Sequence, residues 1–305
     1  MAHRNVAVEL ASLDERINAL LPPRYQHCYS DVSPNSMGSA GIKYAHDGKV
    51  AWDQIWTSFC DLALAGGPPH RGSLLEPVSE AEATADPERY REVVAEIGRA
   101  IGMTTALAVD DEITPGWFGV RCGALQEAAW LQFAVTAENV SARRRGSVLR
   151  LPAGPAFRVE KEVKNVVVAL AKSSHYFDGH LSYTQQSLAG DGLWEPAAPG
   201  EVSADPDAYE AALSRVLAGL SESGLPTIPR RYVGWVGVET PGEEDAVWLL
   251  RAVLAGRVLA RREEDVLFLP VGAAPDADQA ARITWTFNRA WDLRKASSPR
   301  RFSRR

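Results

Sequence analysis

An internal repeat constrains the fold of this chain more than any other sequence feature. Residues 116–154 align without a gap with residues 234–272 at a constant shift of 118, and 19 of the 39 aligned positions are identical. Upstream, Leu-x-Glu-Pro and Ala-Asp-Pro segments recur at a shift of 119. Self-similarity at a fixed shift indicates duplicated supersecondary units. The sequence therefore predicts two tandem copies of a unit of about 100 residues, related by a pseudo-two-fold axis.

Both copies have the same order of periodic segments. A helix is predicted to begin at each Asp-Pro pair, because an N-cap residue followed by proline in the first turn favours helix initiation. β-like runs then alternate with helical ones, as in residues 116–122 and 147–153 of the first copy. Strands that alternate with helices are typical of mixed α/β architectures. We therefore expect a mixed α/β fold in which helix exceeds strand.

The repeat divides the chain into four segments. Residues 1–40 are expected to form an N-terminal helix and a polar loop, and residues 41–185 the first repeat unit. Residues 186–296 form the second, reduced unit in this division. Residues 297–305 contain four arginines and little apolar matter, which predicts a basic tail.

Charge and cysteine content exclude several classes of protein. The chain has 33 basic and 39 acidic residues and a net charge of −6, whereas domains that bind nucleic acid usually carry a basic excess. The three cysteines form no CxxC pair, which favours a reduced, cytoplasmic setting. No apolar run approaches the roughly 20 residues that span a bilayer. We therefore expect neither a nucleic-acid nor a membrane partner.

Common catalytic signatures are also missing from the sequence. There is no GxGxxG after a strand, no GxxxxGK[ST], no HExxH and no GxSxG. Nicotinamide chemistry, NTP hydrolysis and serine hydrolysis are therefore disfavoured. Candidate sites have to be found by comparing the two copies instead.

Histidine distinguishes the copies. The second copy contains none, and five of the six in the chain lie in the first copy and its leading segment: His27, His46, His70, His175 and His180. Residues kept in both copies most simply serve the shared fold. Chemistry confined to one copy indicates a functional site, because the fold forms without it in the other.

The first candidate site is the loop of residues 66–72, Gly-Gly-Pro-Pro-His-Arg-Gly. Glycine lets a backbone approach a ligand, and proline stiffens the path. His70 can transfer a proton near neutral pH, and the planar guanidinium of Arg71 suits a carboxylate or a phosphate. We predict that His70 and Arg71 are catalytic. The alternative is a tight turn with a surface histidine and arginine.

The second candidate is the end of a helix at residues 172–180. Two histidines five residues apart are not expected to share a helix face, which disfavours a zinc site of the i, i+4 type. His175, or alternatively His180, is predicted to be a single metal ligand, and axial ligation of haem iron fits that number. Lys164 and Lys172 would then meet the haem propionates. The alternative is a capped helix end with surface histidines.

Two weaker elements complete the set. The polar loop of residues 27–35 precedes the first copy and could close over a site as a lid, with an ordinary loop as the alternative. Glu138, Glu160 and Glu162 could supply carboxylates. We interpret them as charges on helix surfaces, because nothing in the sequence indicates that they converge.

In its length and in the spacing of His70 and His175, the chain resembles the histidine-ligated haem tyrosine hydroxylases of bacterial lincosamide and pyrrolobenzodiazepine pathways. The resemblance implies haem b, peroxide or oxygen as oxidant, and an aromatic amino acid as substrate. It also implies a mainly helical, haem-oxygenase-like fold, which is the alternative to the mixed α/β prediction.

Three hypotheses follow. The leading one is an oxidoreductase of antibiotic biosynthesis, a haem iron monooxygenase that hydroxylates an aromatic amino acid such as tyrosine, with His175 as axial ligand and His70 as distal acid or base. The second is a metal-free acid–base enzyme that acts on an anionic metabolite through His70 and Arg71. The third is a non-catalytic, pseudo-symmetric binding protein. The expected partner is a small molecule with a carboxylate, and the chain could also form a homodimer.

Overall fold

The helices and strands of the chain belong to two compact units. The central unit is Ser33–Asp191, and the split unit combines Met1–Val32 with Gly192–Arg305. The computed structural model describes residues 2–23, 26, 41–55, 62–112, 114–188 and 194–297.

Its helices are α1 (Ala2–Leu20), α2 (Glu80–Ala85), α3 (Pro87–Thr104), α4 (Leu125–Ala137), α5 (Lys164–His180), α6 (Tyr183–Leu188), α7 (Pro199–Ala204), α8 (Pro206–Leu220), α9 (Glu243–Ala255) and α10 (Ala277–Ser297). Its strands are β1 (Ala108–Val109), β2 (Trp117–Arg121), β3 (Arg143–Arg145), β4 (Val148–Pro152), β5 (Thr227–Tyr232), β6 (Trp235–Glu239), β7 (Arg261–Glu263) and β8 (Val266–Pro270).

The Asp-Pro pairs begin helices, as the sequence predicts. The Asp86 carboxylate accepts a hydrogen bond of 3.0 Å from the amide of Arg89 at the start of α3. Asp205 accepts one of 3.0 Å from the amide of Ala208 at the start of α8. Each carboxylate satisfies an amide that has no partner within the helix.

Each unit contains a four-stranded antiparallel sheet. The strand order is β1-β2-β4-β3 in the central unit and β5-β6-β8-β7 in the split unit. Trp117 pairs with Pro152 in the first sheet, and Trp235 pairs with Pro270 in the second. The two registers differ by the same 118 residues that relate the sequences. The mixed α/β, helix-rich prediction is therefore confirmed, and the mainly helical, haem-oxygenase-like alternative is wrong because both units are built on sheets.

The cores lie between these sheets and the helices. In the central unit, α4 is buried along its length and packs against α5 and the strands β3 and β4. In the split unit, α9 packs against α10, and α1 covers both helices with Leu13 and Ile17 buried. The N-terminal helix is thus part of the split unit. Within the described residues, we find no helix with the length and apolar character needed to cross a bilayer.

Gly116 permits a backbone approach that any side chain would block. Its φ is +80°, and a Cβ atom there would collide with the carbonyl oxygen of Val78. We expect Gly116→Ala to lower the free energy of unfolding by about 3 kcal/mol, from left-handed strain and the collision together. The control is Gly146→Ala, where φ is +62° and the space is open, so that only about 1 kcal/mol is expected. Urea unfolding measures both, and equal losses would contradict the role of the close approach.

Candidate functional site

The loop that carries His70 is fixed to the end of α4 by Glu138. One carboxylate oxygen of Glu138, Oε1, accepts a hydrogen bond of 2.9 Å from the amide of Ala63, and Oε2 accepts one of 2.8 Å from the amide of His70. The backbone carbonyl of Glu138 also accepts from the amide of Arg71 at 3.3 Å. Both ends of the 63–71 segment are therefore attached to one residue, Glu138.

Asn139 adds a second attachment next to the first. Its φ is +61°, the left-handed conformation that asparagine tolerates at helix ends. Its side-chain Nδ2 donates a hydrogen bond of 2.8 Å to the carbonyl of Arg71, and its own carbonyl accepts from the amide of Leu75 at 2.8 Å. The loop backbone is thus held in one position relative to the end of α4.

A buried ion pair lies beneath this loop. The Nζ atom of Lys172, on α5, lies 2.7 Å from Oε1 of Glu138, and the two side chains are 2% and 0% exposed. A buried charge is tolerated when it is paired and hydrogen-bonded. Glu138 meets both conditions, through Lys172 and the two loop amides.

The His70 imidazole is neutral and has an unused nitrogen. Its Nε2 is buried and has no hydrogen-bond partner within the described part of the chain. Burial lowers the pKa of His70 to about 4; the nearby Glu138 carboxylate opposes this shift, and Lys172 adds to it. A hydrogen bond with the Asn165 side chain also opposes the shift, and the charge of Lys164 adds to it. The imidazole is therefore uncharged at neutral pH.

Lys164 and Lys172, which were predicted to serve the His175 site, instead lie near enough to His70 to affect its pKa, and Arg71 follows His70 in the loop. Arg71 is half-buried, and its Nε donates a hydrogen bond of 3.1 Å to the carbonyl of Ser73. Lys164 begins α5, and burial lowers the pKa of its ammonium group. The interpretation of Glu138 as a helix-surface charge is wrong, because the side chain is buried. The sequence did indicate that Glu138 is not needed for the shared fold. The position that aligns with it at the shift of 118 is a glycine, Gly256.

His175 and His180 lie elsewhere in the central unit. Their Nε2 atoms are 3.2 Å apart, so the expectation that they would not meet is wrong. His180 is the last residue of α5, where a side chain can turn back along the helix. His175 is exposed and borders a shallow depression with Met103 and Thr105. The lid predicted at residues 27–35 lies outside the described residues.

Comparisons with known proteins do not assign the chain to a family. No family model matches the chain, and no curated protein matches it. Among solved structures, it is similar to a Thermus thermophilus aspartate aminotransferase mutant complexed with tryptophan, at 12% identity over 66% of this chain and 52% of that one, with a TM-score of 0.23. It is also similar to the Thermus thermophilus enzyme with maleate, at 12% identity over 91% and 73%, with a TM-score of 0.24. The chain spans about half of the first structure, and similarity at these TM-scores assigns neither fold nor activity.

The haem hypothesis is wrong. Both units are built on four-stranded sheets, and not on the mainly helical fold that the resemblance implies. The apolar face of α5 is buried within the protein, His175 is exposed, and Lys172 is committed to Glu138 instead of a propionate. Across the described ranges, no three metal-ligating side chains cluster. The haem b cofactor, the iron site and the monooxygenase activity are therefore withdrawn, together with the antibiotic-pathway role implied by the resemblance.

Proposed function

We propose that the central unit is an enzyme with an acid–base site for a small molecule that carries a carboxylate. His70 is the group that exchanges a proton with the ligand through Nε2. The observation that carries this proposal is the buried Nε2 without a hydrogen-bond partner in the described chain. Buried polar atoms are normally paired, and an exception needs an explanation such as a catalytic role or a bound water or ion. A ligand atom would complete this one.

The charges around His70 favour an anion. The imidazole is influenced by one carboxylate, Glu138, and by two ammonium groups, Lys172 and Lys164. The local charge is therefore one positive unit when His70 is neutral. In this proposal, Arg71 contributes its guanidinium to the same ligand, since a planar fork matches a carboxylate.

Binding of an anion would change the protonation of His70. A negative charge beside an imidazole stabilises its protonated form and raises its pKa. His70 has a pKa of about 4 without a ligand, so it begins neutral and has room to take up a proton. The complex would then hold a protonated imidazole against the ligand, ready to donate the proton in a reaction.

Calorimetry tests this proposal directly. Acetate, pyruvate, succinate and benzoate are titrated into the protein at pH 7 in two buffers with different enthalpies of ionisation. We expect at least one carboxylate to saturate the protein with net proton uptake. His70→Gln should remove the uptake and weaken binding about tenfold, equivalent to one lost hydrogen bond of about 1.4 kcal/mol.

His46→Gln is the matched control, because His46 is exposed on a hairpin of the same unit. This variant should bind the carboxylate and take up the proton as the wild type does. Absence of saturable binding by every carboxylate would overturn the proposed function. Unchanged proton uptake in His70→Gln would overturn the role of His70.

We further propose that the two units are tandem copies of one duplicated unit. The 19 identities over 39 positions, the common strand order and the shared register support this origin. The pseudo-two-fold relation and the four-segment division stay predictions. In this proposal only the first copy carries the site, because the second has a glycine in place of Glu138.

A further inference from the structure

The duplicated helices α4 and α9 carry equivalent acidic residues in their first turns. Glu127 on α4 and Asp245 on α9 are 118 residues apart, which is the shift of the repeat. Both residues are buried, and Glu127 is only 8% exposed. A buried carboxylate is costly unless a cation or hydrogen bonds compensate its charge. The two copies differ in how they meet this cost.

The split unit neutralises its acid with a cation from the same unit. Nε of Arg294, on α10, lies 2.6 Å from Oδ1 of Asp245. The guanidinium also lies over the ring of Trp248, 5.8 Å from the ring centre. Asp245, Arg294 and Trp248 therefore form one charge-compensated cluster.

In the central unit a phenylalanine, and not an arginine, contacts the equivalent tryptophan. Trp130 is the repeat partner of Trp248, and the ring of Phe177 lies 5.7 Å from its ring. Phe177 is on α5, which packs on α4 as α10 packs on α9. The aromatic ring cannot neutralise Glu127. Over the described ranges, no cationic side chain forms an ion pair with Glu127, and its Oε2 accepts a hydrogen bond of 2.6 Å from the amide of Gly123.

Glu127 instead borders a pocket of about 340 Å³. The pocket lies between α4, α5 and α6, and Phe177, Tyr183 and Gln186 contribute to its wall. Tyr183 is 88% exposed and contributes an aromatic ring. A volume of this size suits a small molecule, and aromatic faces attract cations.

We propose that this pocket binds an organic cation, an ammonium or guanidinium group on a small apolar body, through the Glu127 carboxylate. The ligand supplies the charge that Arg294 supplies in the split unit. Its apolar body packs against Phe177 and Tyr183. The first turn of a helix disfavours cations, yet Asp245 holds a guanidinium at the same position of α9, so the dipole does not prevent such binding.

This site is separate from the site at His70. Glu127 lies at the beginning of α4, whereas Glu138 follows its last residue. Eleven residues of helix separate them by about 16 Å. The cation site can therefore stand or fail independently of the proposed function.

The probes are benzylamine and butylguanidine, with benzyl alcohol as the neutral control. Isothermal titration at pH 8 should show saturable binding of one or both cations to the full chain, and at least tenfold weaker binding of the alcohol. Glu127→Gln should weaken cation binding at least tenfold. Glu92→Gln, which removes an exposed carboxylate of α3, should leave it unchanged.

Phe177→Arg is the decisive variant, because it gives the central unit the cation of the split unit. It should abolish cation binding and raise the melting temperature, since the new guanidinium compensates Glu127. Binding of benzyl alcohol as tight as that of the cations would overturn the proposal. Cation binding that survives in both Glu127→Gln and Phe177→Arg would overturn it as well.

The pH dependence provides a further check on the same carboxylate. Burial raises the pKa of Glu127, and the charge of Asp178 on α5 raises it further, whereas hydrogen bonds from the backbone oppose both. Burial raises the pKa of the neighbouring Cys122 thiol to about 12, so that it stays neutral. Cation binding should therefore weaken as the pH falls, and should begin to do so above the range of an ordinary glutamate. Binding that does not change down to pH 4 would contradict the role of Glu127.

Discussion

Replacement of Glu138 by glutamine is expected to lower the free energy of unfolding by about 3–5 kcal/mol. The substitution leaves the Lys172 ammonium buried without its carboxylate, at a position where Lys172 is 2% exposed. It also replaces a charged acceptor of two loop amides, from Ala63 and His70, by a neutral one. Hydrogen bonds to charged groups are the stronger ones.

The loss should be concentrated in the loop of residues 63–71. Hydrogen exchange of the Ala63 and His70 amides is expected to accelerate in Glu138→Gln before the strands of the central unit are affected. Urea unfolding then gives the global change. Glu92→Gln is a suitable comparison, because Glu92 forms a surface pair with Arg89, and such pairs contribute about 0–1 kcal/mol.

A double replacement separates the charge effect from the loss of packing. Lys172→Met with Glu138→Gln removes both buried charges, and the double variant should be more stable than Glu138→Gln alone. An isolated buried charge costs more than a buried neutral pair of similar volume. If the double variant is instead less stable by the sum of the two single effects, the ion pair is not the source of the loss.

The sequence predicted the alternation of helices and strands because periodicity and the Asp-Pro starts are local. It did not predict how the strands pair. β1 has only two residues and β3 only three, too few to show a period. The packing of α1 on α9 and α10 also depends on contacts between segments that are far apart in sequence. Such contacts leave no local pattern for a single sequence to show.

The candidate site was predictable in part. Comparison of the two copies indicated His70 and Arg71, because the second copy has no counterpart of their loop. The burial of Glu138 was not predicted. Helix α4, which Glu138 follows, is buried on nearly all sides, so its sequence lacks the amphipathic pattern that distinguishes buried from exposed positions. The haem interpretation failed because residue type was taken as evidence for a ligand. His175 has the right chemistry, but its exposure is set by tertiary packing.

The stability of the central unit should decrease as the pH falls from 7 to 5, and His70 should account for much of that decrease. The ordinary pKa of histidine is about 6.5, and burial lowers that of folded His70 to about 4. Above pH 6.5, His70 is neutral in both the folded and the unfolded state, and it makes no difference to stability there. Between these values only the unfolded state binds the proton, which favours unfolding.

At pH 5 this difference amounts to about 2 kcal/mol, and it approaches about 3 kcal/mol near pH 4, where the folded imidazole begins to be protonated. Most carboxylates titrate below pH 4.5, and the comparison with His70→Gln subtracts the contribution of those, such as Glu127, whose pKa is raised by burial. Urea unfolding at pH 7.5 and pH 5 should give a smaller decrease for His70→Gln than for the wild type, by about 2 kcal/mol. His46→Gln should retain the wild-type decrease, because His46 is exposed. An equal decrease in His70→Gln and the wild type would mean that the imidazole is accessible to protons in the folded protein, and the account of a buried, neutral His70 would then be wrong.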